Sequence, residues 1–187
     1  MLGIAVSNPI AAWVTSKWGY TLLNAVVGGC LEVLATGLMT RWNADTSRAE
    51  AVIVLIILGF GQGAVLIGLL MSAQVAVPPL QVGVVTGLAI FIQTVGDIFG
   101  IAVFAAVYIN QLSSLLMADQ SIPAETVGII LSDVQSIRKE LGAEQAAEVV
   151  EIYAKSLQNG WWLMFAASVA LVAFTCMSRQ HKFDKGN

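Results

Sequence analysis

The stretch from Val82 to Tyr108, VGVVTGLAIFIQTVGDIFGIAVFAAVY, leaves this chain few folds to choose from. About 20 mainly apolar residues cross a bilayer core, and this run is longer, with apolar side chains all round. A soluble helix of such length would keep a polar face. The polar exceptions are Gln93, Thr94 and Asp97, near the middle. Gly83 with Gly87, and Gly96 with Gly100, form two small-xxx-small pairs of the kind that admit a second helix backbone. An acid in mid-span beside such glycines points to a polar pathway inside a bundle of membrane helices.

Composition supports the same class. Of 187 residues 57% are hydrophobic and 11% charged, with mean hydropathy +0.80. Soluble domains carry roughly 25% charged residues, so this chain cannot wet an ordinary surface, and its apolar excess comes in blocks. The formal charge of -3 gives no support for nucleic-acid binding. Cys30 and Cys176 sit in apolar blocks, where they act as small hydrophobes with neither metal nor disulfide spacing. His181, the one histidine, lies in a charged tail. No catalytic constellation is visible, so neither an enzyme nor a cofactor or metal site is expected.

The expected architecture is all-α, one polytopic membrane domain over residues 1-187. Spans are predicted at about 2-15, 20-40, 51-77, 82-108 and 160-177. The first is short and interrupted by Asn8-Pro9, and it reads as the tail end of a longer span. Ser16-Lys17-Trp18-Gly19 is expected to form a polar turn, with Trp13, Trp18 and Tyr20 at the membrane interface. The second span is rich in small residues and holds Glu32. Arg41 to Glu50 reads as a hydrophilic loop. Pro78-Pro79 stops the third span, and the short link to Val82 makes the third and fourth spans antiparallel neighbours. Residues 109-159 read as a polar extracytoplasmic loop with seven acids. Helical spacing from Val127 to Leu141 suggests an amphipathic helix, Gly142 a break, and Glu144 to Leu157 a second short helix. The tail, 178-187, is basic. Basic residues are denser on its side of the membrane, which places it in the cytoplasm.

Polar groups within the spans are the candidate functional residues. Asp97 and Gln93 are four residues apart and share a helix face. An ionised carboxylate at mid-bilayer costs about 3 kcal/mol on insertion scales, so Asp97 is expected to face a cavity or partner, or to hold a proton. The same argument applies to Glu32. These two acids and Gln93 are candidate proton-coupling or cavity groups, with interhelical hydrogen bonding as the structural alternative. Gln62 and Gln74 are candidate substrate-path residues or helix-joining glue. Gly59-Phe60-Gly61-Gln62-Gly63-Ala64 imitates a dinucleotide fingerprint, but no acid follows at the required distance. Gly59, Gly63, Gly83, Gly87, Gly96 and Gly100 are therefore read as helix-packing positions.

Three segments carry a family likeness: LGFGQGAVLIGLLMSAQ in the third span, the series Gly87, Phe91, Gly96, Gly100, Ala102 in the fourth, and the long polar loop before one last helix and a basic tail. Together they resemble the C-terminal part of a major facilitator superfamily transporter, of the fungal-type fourteen-helix drug:proton antiporter family. Where that pattern often has arginine and a further glycine, this chain has Gln93 and Asp97. The resemblance implies an incomplete C-terminal half of a secondary-active efflux transporter in the plasma membrane, exporting small organic molecules such as drugs or toxins against protons. About five spans cannot form the two-sided cavity such transporters use, so the chain alone is expected not to transport. The alternative is a small membrane-embedded interaction protein that binds a partner through its glycine faces.

Overall fold

The computed structural model describes residues 2–18, 21–43, 46–118 and 143–178. The order is α1 (Leu2–Trp18), α2 (Thr21–Met39), α3 (Arg48–Val75), a 3-10 turn (Pro79–Gln81), α4 (Val82–Ala118) and α5 (Ala143–Met177). Among the described residues there is no strand. Four helical stretches are long and apolar enough to cross a membrane: Thr21–Met39, Arg48–Val75, Pro79–Met117 and Glu151–Met177. The 17 residues of α1 reach about 25 Å at 1.5 Å per residue, short of a core of about 30 Å. Helix α3 is central and packs against α1, α2 and α4, while α5 closes the circuit by packing against α2 and α4.

Direct backbone approach builds the α2–α3 pair. A methyl group on Gly28 would stand 2.6 Å from the Gly61 carbonyl oxygen and 2.8 Å from the Ala64 methyl. One on Gly68 would stand 2.7 Å from the Ala25 backbone nitrogen. Where lipid tails are as apolar as the side chains, close packing of this kind drives helix association. Elsewhere Gly63 meets Ser7 and Asn8 of α1, Gly29 meets Val172, and Gly37 meets the Phe165 ring. At the far end of α2, Ala35, Met39 and Val54 are buried under Trp42 and Trp161.

Several predicted boundaries move. Asn8-Pro9 does not interrupt α1, which runs through Pro9. The helix is pinned there from outside, because the Ser7 hydroxyl donates to the Gly59 carbonyl at 3.1 Å. Nor do Ser16, Lys17 and Trp18 turn. They complete the last turn of α1, with Lys17 Nζ 4.9 Å from the Trp13 ring centroid, one turn back. Gly19 and Tyr20 lie outside the described residues. Helix α3 starts at Arg48 rather than Ala51, since Ser47 caps it by accepting from the Glu50 backbone N–H at 3.1 Å. Ser-x-x-Glu is a capping signature that hides inside what reads as a hydrophilic loop. Helix α4 continues past Tyr108 to Ala118.

The region 109-159 is thus less of a loop than its polarity suggests. The helix expected at Glu144 to Leu157 and the last span are a single helix, α5, passing unbroken through Gly160. Tyr108 and Tyr153 pair at 6.3 Å between ring centroids, and Leu112, Leu116, Ile152 and Ser156 are buried. The helix expected from Val127 to Leu141, its break at Gly142 and the tail from Arg179 lie outside the described residues.

The glycine contacts make a direct prediction. Gly28→Leu should destabilise the chain in detergent by about 2 kcal/mol or more, as overpacking does. Gly83→Leu, at a position with nothing within 4 Å, should stay within about 0.5 kcal/mol. Denaturant titration of helicity measures both.

Candidate functional site

Helices α3 and α4 are hydrogen-bonded near their shared turn. Gln74 Nε2 donates to Thr86 Oγ1 at 2.9 Å, and the Thr86 hydroxyl donates to the Val82 carbonyl at 2.7 Å. Next to that bond lies a cleft of about 520 Å³, lined by Leu66, Ile67, Leu69 and Leu70 of α3 and Ala89, Ile90, Ile92 and Gln93 of α4. Gln93 is the one polar side chain in that lining. Further along, α4 leaves α3 and joins α5, where Phe104 packs on Trp161 at 5.6 Å. Gly83, Gly87, Gly96 and Gly100 all face open space within this structure.

The predicted polar residues fall into different places. Gln93 reaches the cleft. Asp97, one turn on, is exposed on α4. Glu32 is half-buried at the α2–α3 crossing, where a methyl on Gly61 would meet its backbone nitrogen and Cγ at 2.9 and 3.0 Å. Its carbonyl accepts from Thr36 Oγ1 at 2.7 Å. Helix α2 packs on α1, α3 and α5, and α4 on α3 and α5, so Glu32 and Asp97 stand on two helices that share the neighbours α3 and α5. Gln62 is exposed on α3, and Gln74 is engaged by Thr86. Gly59 and Gly63 are buried against α1. The segment that imitates a dinucleotide fingerprint is continuous helix, with no strand-to-helix turn to hold a pyrophosphate.

Sequence reading missed the polar pairs that tie α5 to α2. Thr36 Oγ1 and Ser168 Oγ share a buried hydrogen bond of 3.0 Å. Gln158 Nε2 donates to the Trp42 carbonyl at 2.9 Å, and the Trp42 and Trp161 rings meet edge-on at 5.8 Å. The available signal was a mid-span hydroxyl, Thr36 in one apolar span and Ser168 in another, which is how interhelical hydrogen bonds in membranes present themselves. Among the described residues no group of His, Cys, Asp and Glu could hold a metal ion.

No family model matches the chain. The MFS-type transporter pigP of Monascus ruber is 28% identical over 168 residues, covering 89% of this chain and 29% of the relative. The efflux pump FUS6 of Gibberella moniliformis is 30% identical over 167 residues, covering 84% of this chain and 29% of the relative. The multidrug transporter MdtP of Bacillus subtilis is 25% identical, covering 92% of this chain and 36% of the relative. The chain belongs to the major facilitator superfamily. It spans about a third of the length of the curated relatives it matches. An all-α bundle of apolar helices is what a stretch of a major facilitator should form, and it makes the chain an integral membrane protein. These relatives are named as transporters and pumps, not as enzymes.

The buried hydroxyl pair offers a test of how this facilitator segment holds its last helix. Thr36→Val and Ser168→Ala should each cost about 0.6 kcal/mol. The double variant should cost less than their sum, because one bond is lost either way. A double-mutant cycle on unfolding in detergent reads the coupling.

Proposed function

We propose that this chain supplies the late helices of a secondary-active efflux transporter of the fourteen-helix type, one that exports small organic molecules against proton entry. The observation that carries this reading is the match of nearly the whole chain to part of much longer transporters and pumps. A further relative, from Aspergillus terreus, is named an MFS acetylaranotin efflux transporter, which fits an organic substrate. In this reading the bare span of α4 is the surface that the rest of the transporter covers, so Asp97 and Gln93 face the space between the two halves. Glu32 is the second candidate for carrying the proton, and Gln62 and Gln74 are candidate path residues. Gly83, Gly87, Gly96 and Gly100 are the contact positions on α4. The plasma membrane is the proposed location.

The same open α4 face supports a second reading, in which the chain acts without transport by binding a membrane partner. Reconstitution separates the two. In proteoliposomes of the transporter containing this segment, an imposed pH gradient should drive substrate efflux. Asp97→Asn or Glu32→Gln should abolish gradient-driven flux while leaving substrate exchange in place. If neither change alters gradient-driven flux, proton coupling through these acids is wrong.

Orientation has its own measurement. With Cys30 and Cys176 replaced by alanine, Ser178→Cys should react with a membrane-impermeant maleimide in inside-out vesicles and stay protected in intact cells. Thr46→Cys should show the opposite pattern.

A further inference from the structure

Helix α4 gives the membrane little reason to prefer one of its sides. Its apolar residues run all round, so a turn about its own axis hardly changes what meets the lipid. The rotation of such a helix is set by packing against its neighbours.

Two contacts supply that setting. At the hairpin end Gln74 Nε2 donates to Thr86 Oγ1 at 2.9 Å. The Thr86 proton is committed to the Val82 carbonyl, so toward α3 its hydroxyl acts as an acceptor. Further along, the Phe104 ring fills the notch that Gly160 leaves in α5. A methyl group on Gly160 would stand 2.5 and 2.7 Å from two carbons of that ring. Phe104 also leans on Trp161, with 5.6 Å between ring centroids. Between the two contacts Gly87, Gly96 and Gly100 meet nothing within 4 Å, so those positions offer no resistance to a turn of the helix.

Spacing ties these contacts to the candidate polar residues. Thr86, Gln93, Asp97 and Phe104 follow one another at intervals of 7, 4 and 7 residues. At 3.6 residues per turn all four fall within an arc of about 40°. Gln93 and Asp97 therefore stand on the face that Thr86 and Phe104 hold. Asp97 is about 17 Å along the axis from one contact and about 11 Å from the other, so both act on it only through the helix.

We infer that Gln74 and Gly160 are positioning residues, which through Thr86 and Phe104 fix the rotation of α4 and so the direction in which Asp97 and Gln93 point. The inference rests on the transporter reading for its purpose, since it concerns an acid proposed to carry the proton. The rotation itself is read without gradient or flux.

Spin labels read it directly. With Cys30 and Cys176 replaced by alanine, single cysteines at positions 94 to 103 would be nitroxide-labelled in the full chain in lipid nanodiscs, and their collisions with oxygen measured. Accessibility should vary with a helical period, whose phase reports the sheltered face of α4. Thr86→Ser keeps the acceptor and should preserve the phase. Thr86→Val keeps the shape without the acceptor, and should shift the balance of rotational settings about threefold, the worth of an interhelical hydrogen bond in a bilayer. Gln74→Leu should match it. Thr86→Val combined with Gly160→Ala should move the phase by about 40° or more, enough to carry Asp97 out of the arc. Gly83→Leu should leave the phase where it was.

Circular dichroism identifies any variant that has lost its helices, and the Thr86 pair decides the hairpin end without a change at Gly160. An unchanged phase in a helical double variant would overturn the inference. A Thr86→Ser variant that behaves like Thr86→Val would overturn the part given to Gln74. In the whole transporter, a phase that shifts as expected while Asp97→Asn leaves gradient-driven flux intact would count against the proton role and leave the positioning standing.

Discussion

The contact between α2 and α3 through Gly28, Gly61 and Gly68 is the constraint on which the rest of the bundle depends. With no side chain between the two backbones, the helices lie too close for any residue larger than glycine at those points. In a membrane there is no solvent to squeeze them together, so this fit must supply the attraction through dispersion and packing. Its closeness then sets where the other helices can go. Ser7 and Asn8 of α1 settle on Gly63, the next small position along α3, and α5 rests on Gly29 and Gly37 along the opposite edge of α2.

Polar groups refine what the glycines position. Buried or half-buried bonds cross between the elements, among them Ser7 with the Gly59 carbonyl, Thr36 with Ser168, Gln74 with Thr86 and Gln158 with the Trp42 carbonyl. They also divide the bundle functionally. The α1–α2–α3 part is tightly packed, whereas α4 is held by α3 at one end and by α5 at the other. Its intervening glycines touch nothing within this structure. A helix fastened toward both ends, with Gly96 and Gly100 open between them, is suited to meeting something outside the chain.

The helical class and the existence of the membrane spans were legible because apolar runs of that length have few other uses. The family was legible too, from the glycine and glutamine pattern of α3 and α4. Ends of helices were not, where local chemistry outweighed hydropathy. Ser47 and Glu50 start α3 inside a charged stretch, and Leu112 and Leu116 carry α4 on into a region that reads as polar. The candidate site was only half legible. A sequence shows that Gln74 and Gln93 share apolar surroundings, but not that one amide is consumed by Thr86 while the other reaches a cleft. Among the glycines, spacing alone could not separate Gly63, wedged against α1, from Gly83 and Gly87, which face open space here.

The length of α4 and α5 has a mechanical side. At 1.5 Å per residue, 37 and 35 residues measure about 55 and 52 Å, well beyond a hydrocarbon core of about 30 Å. The ends that carry Tyr108 and Tyr153 lie together, their rings tilted at 6.3 Å, so the surplus of both helices beyond such a core forms one paired mast. Because α5 passes through Gly160 without a break, the mast has no joint at the membrane surface. A swing of α4 by about 10° around the Pro78-Pro79 end would carry its far tip about 10 Å sideways. Small rearrangements among buried helices would therefore be enlarged at the far end of this pair.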